Sequence, residues 1–282
     1  MHNARPHLSL ESLPSMSKLT SPTPRMIVEK TGTIGWMIFN NPDRLNAVSL
    51  DMWQAVPKII ADFEADPEIR TIVLTGAGDK AFVAGADISQ FEAQRGDPAS
   101  VVTYEDATNL AFGTIARAAR PTIAMIDGYC IGGGLGIALS CDMRFAAHGS
   151  TFGIPAAKLG LAYAAAGTRR LVDVVGPAFA KEIFFTARRF THDEALAMGL
   201  INRAFSRDAL KEEVLNLCAT IADNAPLTVM TAKRIVDETL KAPGNFDADM
   251  CEELIERCFH SKDYAEGRTA FMEKRKANFK GH

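Results

Sequence analysis

The chain has 282 residues, 47% of them hydrophobic and 23% charged, which is typical of one large globular domain or a domain with an appendage. With 31 basic and 34 acidic residues its net charge is −3, so no global basic field gathers nucleic acid or an anionic membrane. Five scattered cysteines without zinc spacing, no membrane-length apolar run and no signal-peptide core predict a reduced cytoplasmic protein without a metal or a membrane partner.

The amino-terminal part of the chain divides into an extension and the first elements of a fold. Residues 1–24 are rich in serine and proline and are predicted to be a disordered extension, so the fold is expected to start near Arg25. The segments "MIVEK" and "TIGWMIFN" predict a strand pair hinged at Gly32. Helical spacing in "SLDMWQAVPKIIADFEAD" then predicts a helix with Ser49 as its N-cap.

Strands and helices alternate through the middle of the chain. The strand "RTIVLTG" is closed by the loop "GAGDKAFVAGAD" and followed by a long helix ending near Ala119. The strand "PTIAMID", the glycine turn in "YCIGGGLGIALSCD", a helix and the strand "MRFAA" come next. This order predicts an α/β fold with crossover connections. Strand signals fade beyond Gly167, so residues 25–205 are predicted to form the core and residues 206–282 a helical oligomerisation region.

Two segments share one pattern, a buried strand, small residues and a helix start: "IVLTGAGDKAFVAGADI" and "IAMIDGYCIGGGLGIAL". Glycine permits positive φ and close ligand approach, and the first N–H groups of a helix lack intrahelical partners. Such turns are able to aim N–H groups at an anion or a developing oxyanion. Nucleotide motifs fail on spacing, because Ile137 stands where GxGxxG needs glycine and no P-loop occurs. For either segment alone, the alternative is a tight turn without a ligand.

Several segments, in order, resemble the enoyl-CoA hydratase/isomerase family, also called the crotonase family. The resemblance covers about residues 25–281 and rests on "NNPDRLNAVS", "KAFVAGADI", "IDGYCIGGGLGIALSCDMRFAA", "FGIPAAKLGL", "GTRRL" and "EGRTAFMEKRKANFKGH". It implies a crotonase-like spiral of ββα units with a helical carboxyl-terminal trimerisation region. It also implies a homotrimer or dimer of trimers, and acyl-CoA thioesters of fatty acid metabolism as substrates, with coenzyme A entering as part of the thioester and no separate cofactor.

The same resemblance assigns a backbone oxyanion hole and a coenzyme A site. The N–H groups of Ala86 and Gly133 are expected to hold the thioester oxygen, a role that does not depend on the side chain. The family stretch that lines the adenine and pantetheine corresponds here to Ala84, Gly85, Ala86, Asp87 and Ile88. Arg44 and Lys80 are expected near the phosphates, with solvated surface charge as the alternative. Phe271 and Lys274 are expected to close over the adenine, either that of the same subunit or that of a neighbouring one.

The sequence departs from the family at two positions. Hydratase members carry one glutamate two residues after the GGG run and another directly after the FGxP proline, and Gly136 and Ala156 stand there in this chain. General acid–base catalysis needs a titratable group within hydrogen-bond range of the transferred proton, which neither residue supplies. The oxyanion hole is therefore expected without the usual hydration machinery.

The sequence offers several candidates for the roles of the two missing glutamates. Tyr163, in "GLAYAAAG", is expected either to donate or orient a proton or to be a packed aromatic residue. Glu92 and Gln90 follow the first oxyanion turn and face either the acyl group or solvent. Structural or surface roles are expected for Lys158, Asp87, Asp142, His148 and His192.

Two hypotheses follow for the function. The first is an enzyme with lyase or isomerase chemistry, such as isomerisation, decarboxylation, thioester hydrolysis or hydration of an unusual acyl group. The second is a non-catalytic acyl-CoA-binding or scaffold member. Gly136 and Ala156 also predict either a pocket enlarged for a bulky acyl group or a space filled by neighbouring apolar side chains.

Overall fold

The protein folds around two sheets, as seen in a computed structural model that describes residues 16–87, 98–242 and 244–282. Seven strands form the larger sheet in the order β1-β2-β3-β4-β6-β8-β11, and four form the smaller one in the order β10-β9-β7-β5. The described strands are β1 Ser17–Lys18, β2 Met26–Thr31, β3 Ile34–Phe39, β4 Thr71–Gly76, β5 Ala81–Val83, β6 Thr122–Ile126, β7 Tyr129–Ile131, β8 Met143–Ala147, β9 Thr151–Gly153, β10 Phe190–Thr191 and β11 Arg203–Phe205.

Nine α-helices lie in the described part of the chain. Their bounds are α1 Leu50–Ala65, α2 Pro98–Arg117, α3 Gly133–Ser140, α4 Ala165–Thr186, α5 His192–Ala197, α6 Arg207–Ala222, α7 Pro226–Thr239, α8 Ala248–Phe259 and α9 Lys262–Glu273. Short 3-10 turns span Pro42–Arg44 and Pro155–Leu159. Among the described helices, none combines the length and the hydrophobicity that a membrane crossing requires.

Three successive units place one strand in each sheet and then add a helix. These units are β4-β5-α2, β6-β7-α3 and β8-β9-α4. From β3 to β11 the large sheet is parallel, and the strand sequences are correspondingly apolar on both faces. The predicted α/β spiral of ββα units with a helical carboxyl-terminal part is confirmed.

The small sheet was not predicted from the sequence. Its strands β5, β7 and β9 have three residues each. The first lies in a segment predicted to be a loop, the second in the predicted glycine turn, and the third in a segment for which no element was predicted. They pair in parallel, β5 with β7 and β7 with β9, so their carboxyl ends lie side by side. This arrangement brings the two predicted glycine turns to one edge.

Two local predictions need correction. The extension predicted for residues 1–24 is wrong at its carboxyl end, because Ser17 and Lys18 pair antiparallel with β2 and the sheet therefore begins before Arg25. Residues 1–15 of that extension lie outside the described residues. Ser49 stands at the start of α1 as predicted, but its hydroxyl donates to the Asp51 carboxylate and caps no backbone N–H. The neighbouring acid competes for the serine hydroxyl.

Candidate active site

The candidate site lies where the three parallel strands of the small sheet end. Gly85 follows β5, Gly132 follows β7 and Pro155 follows β9. A Cβ placed on Gly132 would lie 3.8 Å from Gly85 Cα and 3.9 Å from Pro155 Cδ, so the three segments are in van der Waals contact. Ligand sites of α/β proteins form at such carboxyl ends of parallel strands.

Two glycines of the GGG run, Gly132 and Gly134, meet requirements that other residues would not. Gly132 is the N-cap residue of α3 with φ 57° and ψ −117°, a conformation that favours glycine. At Gly134 a Cβ would lie 2.1 Å from the Val83 carbonyl oxygen, so only a bare backbone fits beside β5. At Gly133 a Cβ would meet Trp53 at 3.4 Å, an ordinary contact. The run therefore places the amino end of α3 tightly against the strand that carries the other turn.

The Gly85–Ala86 turn is held by Val48. The N–H of Val48 donates to Gly85 O at 2.9 Å, and the N–H of Asp87 donates to Val48 O at 3.1 Å, forming a parallel bridge around Ala86. Because backbone groups alternate in direction along extended chain, the N–H of Ala86 points away from Val48. Within the described residues it donates no backbone hydrogen bond.

The N–H of Gly133 is also unused by the described chain. Gly133 is the first residue of α3, where no intrahelical acceptor exists, and it donates to no described backbone carbonyl. A Cβ on Gly133 would lie 3.9 Å from the Gly85 carbonyl carbon, so the two turns adjoin directly. Two unpaired N–H groups at adjoining turns, one at a helix amino end, form an arrangement suited to an oxyanion.

A hydrogen-bonded aromatic pair supports these turns from behind. The Trp53 indole donates to the Tyr104 hydroxyl at 2.8 Å, and that hydroxyl lies 3.4 Å from Val48 O. Trp53 is 1% exposed and Tyr104 is 7% exposed. The pair therefore connects α1 and α2 to the strand segment that holds Ala86.

The space beside Gly136 is occupied by Phe112. A Cβ on Gly136 would lie 2.6 Å from Phe112 Cζ, with two further ring atoms at 3.1 Å and 3.2 Å. The Phe112 ring meets the Trp53 ring edge to face, with centroids 5.3 Å apart. The expectation of a pocket enlarged at Gly136 is wrong, because an apolar side chain fills the space, as the alternative proposed. Ala156 is buried in the turn after Pro155.

Tyr163 lies in the loop before α4, partly buried. Its ring packs edge to face on Phe184 at a centroid distance of 5.4 Å. Burial raises the pKa of Tyr163 to about 12, and the Cys130 thiol, two residues before Gly132, adds to this shift. At neutral pH the phenol is therefore a hydrogen-bond donor and not a base. The packing and the protonation state are compatible with both predicted roles.

The predicted cations and their neighbours lie around the first turn. Arg44 forms an ion pair with Asp87 at 3.1 Å, and the Asp87 side chain is buried while Arg44 is half-exposed. Lys80 is exposed. The N–H of Ala84 donates to Leu45 O at 3.0 Å, which fixes the chain before Gly85. The predicted residues Ile88, Gln90 and Glu92 lie outside the described residues.

The carboxyl-terminal tail folds back on α9. Both carboxylate oxygens of buried Asp263 accept backbone N–H groups at 2.7 Å, from Lys280 and Gly281. Phe271 is 82% exposed on the same helix, and Lys274 ends the helix with φ 53°. The two predicted adenine-closing residues are thus solvent-facing in the single chain.

The remaining candidates have structural or surface positions. The Asp142 carboxylate accepts from Thr122 and from Lys233, which confirms its predicted bracing role. Lys158 is exposed. His148 and His192 stack with centroids 5.0 Å apart. In the described residues, no group of three or more His, Cys, Asp and Glu side chains could hold a metal.

Sequence reasoning missed four residues that shape the site, Val48, Trp53, Tyr104 and Phe112. Trp53 and Phe112 carry only a core-like helical periodicity, and nothing in the sequence pairs them with glycines far along the chain. Gly136 within a helical segment was the available signal, since glycine there implies that something needs the space.

Comparison with known proteins places this geometry in a family. Residues 29–282 match the family described as Enoyl-CoA hydratase/isomerase. Short-chain-enoyl-CoA hydratase of Clostridium acetobutylicum is 34% identical over 251 residues, covering 89% of this chain and 95% of that protein. Crotonyl-CoA hydratase of Syntrophomonas wolfei is 33% identical over 254 residues, covering 90% of this chain and 97% of that protein.

Solved structures show the same similarity. The crystal structure of an enoyl-CoA hydratase/carnithine racemase from Magnetospirillum magneticum matches with a TM-score of 0.88 at 34% identity. The match covers 93% of this chain and 97% of that one. The chain belongs to the enoyl-CoA hydratase/isomerase family and has the crotonase fold.

Proposed function

We propose that the protein is an acyl-CoA-processing enzyme that holds a thioester oxygen between the N–H groups of Ala86 and Gly133. One observation carries the proposal: the two turns adjoin, and neither N–H donates to a described backbone carbonyl. Unused donors beside each other are costly unless a ligand or water accepts from them. The relatives named above are hydratases of enoyl-CoA substrates, which supports a thioester as that ligand.

The chemistry of such a site is stabilisation of an enolate. When a proton leaves or a nucleophile adds next to a thioester, negative charge develops on the carbonyl oxygen. Two fixed N–H groups at a helix amino end stabilise that charge without reorganisation, and each donor typically contributes on the order of 3 kcal/mol to the transition state. The Trp53–Tyr104 pair and Val48 keep one of these donors in place.

The proposed site lacks the two glutamates that hydratase members of the family use. Neither position holds an acid or base, because the residues there are Gly136, which faces the Phe112 ring, and Ala156, which is buried. Tyr163, whose pKa burial raises to about 12, is the proposed proton donor, since it remains a neutral phenol. Isomerisation, decarboxylation and hydration of an unusual acyl group pass through an enolate, while thioester hydrolysis passes through a tetrahedral intermediate with its negative charge on the same oxygen, so the same hole serves all four reactions.

A second candidate function is acyl-CoA binding without catalysis. It is favoured by the apolar wall at Gly136, where Phe112 stands in place of a carboxylate. Mass spectrometry of a panel of acyl-CoA esters incubated with the purified protein separates the two candidates. New products support the enzyme, and binding without any product supports the second function. Crotonyl-CoA in this panel should be hydrated slowly, because each missing acid or base typically lowers the rate by a hundredfold to ten-thousandfold, in order of magnitude.

The oxyanion hole is tested by Gly133→Pro compared with Gly133→Ala. Proline removes the N–H and is accepted at the first position of a helix. The Gly132 dihedrals are the mirror image of an extended conformation, which proline accepts in the preceding residue. Alanine keeps the N–H and adds only a Cβ at 3.4 Å from Trp53, so it measures the steric part alone.

The expected result is a loss of acyl-CoA turnover of about a hundredfold to a thousandfold for proline relative to alanine. If the protein has no turnover, acyl-CoA affinity is the readout. Equal turnover and affinity in two folded variants would refute the assignment of Gly133 as a donor.

The assembly and location follow the family in this proposal. We infer a homotrimer or a dimer of trimers, in which Phe271 and Lys274 of one subunit close over the adenine of a neighbour. The support is the exposure of apolar side chains on the carboxyl-terminal helices, such as Phe271 at 82% and Val236 at 59%. A cytoplasmic location is supported by five free cysteines, four of them buried.

A further inference from the structure

Phe112 and Gly136 form a contact that has room for no additional atom. The Cζ atom of Phe112 would lie 2.6 Å from a Cβ on Gly136, well inside the normal contact distance. Phe112 is half-buried and packs on the main core. The ring thus occupies the position that a side chain at residue 136 would take.

This contact lies directly beside the proposed oxyanion hole. Gly133 and Gly136 are three residues apart on α3, so they face the same side of the helix one turn apart. Gly133 faces the Trp53 ring, and Gly136 faces the Phe112 ring, which itself meets Trp53 edge to face. Trp53 is 1% exposed, so of these two rings it is the half-buried Phe112 that an acyl chain extending along this face from an oxygen held at Gly133 would meet.

The two rings differ in how firmly they are held. Trp53 is 1% exposed and its indole donates to Tyr104, so its position is set by packing and by a hydrogen bond. Phe112 has no polar atom and is held by packing alone. Of the two rings, Phe112 is therefore the one that a substitution removes without leaving a polar group unpaired.

We propose that Phe112 limits the length of the acyl group, so that the protein selects short acyl-CoA esters over medium-chain esters. This inference rests on the proposed function, since it assumes that a thioester occupies the hole at Gly133. It assigns acyl selectivity to a residue on α2, which is distant in sequence from the GGG run.

The test is the affinity of butyryl-CoA, octanoyl-CoA and free coenzyme A, measured by calorimetry for the parent protein and for Phe112→Ala. Saturated esters have no double bond to hydrate or shift, and mass spectrometry before and after each titration checks that neither thioester has been hydrolysed. The parent should bind butyryl-CoA more tightly than octanoyl-CoA. In Phe112→Ala the freed space should favour octanoyl-CoA by about fourfold per newly buried methylene, and so on the order of a hundredfold relative to butyryl-CoA.

Gly113→Ala is the matched control, because it changes the neighbouring residue of the same helix. Its Cβ would meet only the flexible end of Arg117, at 3.0 Å, so the ratio of affinities should equal that of the parent. Phe112→Leu replaces the ring by a shorter side chain and disturbs the packing less, so it is the variant to use if Phe112→Ala does not fold. It should shift the ratio of the octanoyl-CoA and butyryl-CoA affinities in the same direction.

The outcomes separate the inference from the function on which it rests. Binding of neither ester nor free coenzyme A to the parent would refute the proposed function. Tight butyryl-CoA binding, with a ratio that stays within about threefold of the parent in both Phe112 variants, would refute the role of Phe112 alone. A parent that prefers octanoyl-CoA would refute it as well.

Discussion

Replacing Tyr104 by phenylalanine removes the hydroxyl that connects the first two helices to the oxyanion turn. The substitution removes one oxygen and leaves the ring, so it opens almost no cavity. The Trp53 indole, 1% exposed, then becomes a buried donor without its 2.8 Å acceptor. Val48 O keeps the N–H of Asp87 at 3.1 Å, so the second contact of the hydroxyl, at 3.4 Å, contributes little.

The expected loss is about 1–3 kcal/mol in the free energy of unfolding, the usual result of leaving a buried donor unsatisfied. In a protein of this size, 1 kcal/mol corresponds to about 2 °C in Tm, so Tm should fall by about 2–6 °C. Guanidinium unfolding followed by tryptophan fluorescence at one fixed protein concentration measures the loss.

Tyr264→Phe is the control, because Tyr264 is 44% exposed and its substitution should change the unfolding free energy by no more than about 0.5 kcal/mol. A Tyr104→Phe protein as stable as this control would refute the reasoning, since the indole would then have found another acceptor or the hydrogen bond would contribute nothing.

Two further predictions concern Tyr163 and the carboxyl-terminal tail. Burial raises the pKa of Tyr163 from 10.0 to about 12, so the unfolded chain loses this proton first. The unfolding free energy should therefore fall between about pH 10 and pH 12 by up to about 2–3 kcal/mol, and Tyr163→Phe should lack that part of the fall; identical pH profiles would contradict the shift. Asp263→Ala removes both acceptors of the Lys280 and Gly281 N–H groups, so hydrogen exchange in the last residues should speed up at least about tenfold while β4 stays protected; unchanged exchange of the tail would show that other contacts hold it.

Much of the fold was predictable because its strands are long and buried on both faces. The strand pair around Gly32, β4, β6 and β8 lie where the apolar runs placed them. The small sheet was not predictable, since strands of three residues carry too few side chains for an alternation to appear. Its parallel pairing is nevertheless what places Gly85 next to Gly132.

The backbone donors of the site were predictable from the sequence, but the aromatic side chains that pack beside them were not. Glycine turns after buried strands indicate free N–H groups, because that follows from local backbone chemistry alone. The rings of Trp53 and Phe112 come from α1 and α2, far along the chain from Gly133 and Gly136. Contacts between residues so distant in sequence depend on how the helices pack, which no local pattern specifies.

Gly136 shows why the missing carboxylate and the apolar wall have to be explained together. Taken alone, a glycine in a helix indicates either an emptier pocket or a space filled by neighbouring apolar side chains. The 2.6 Å approach of Phe112 to a Cβ at this position favours the second explanation, because a side chain at residue 136 and the present ring cannot occupy the same space. A carboxylate restored by Gly136→Glu alone would have to displace the ring from Trp53 or desolvate its charge against it, and either is unfavourable. An acid at this position is therefore expected to need a smaller residue at position 112, so the two positions should be changed as a pair.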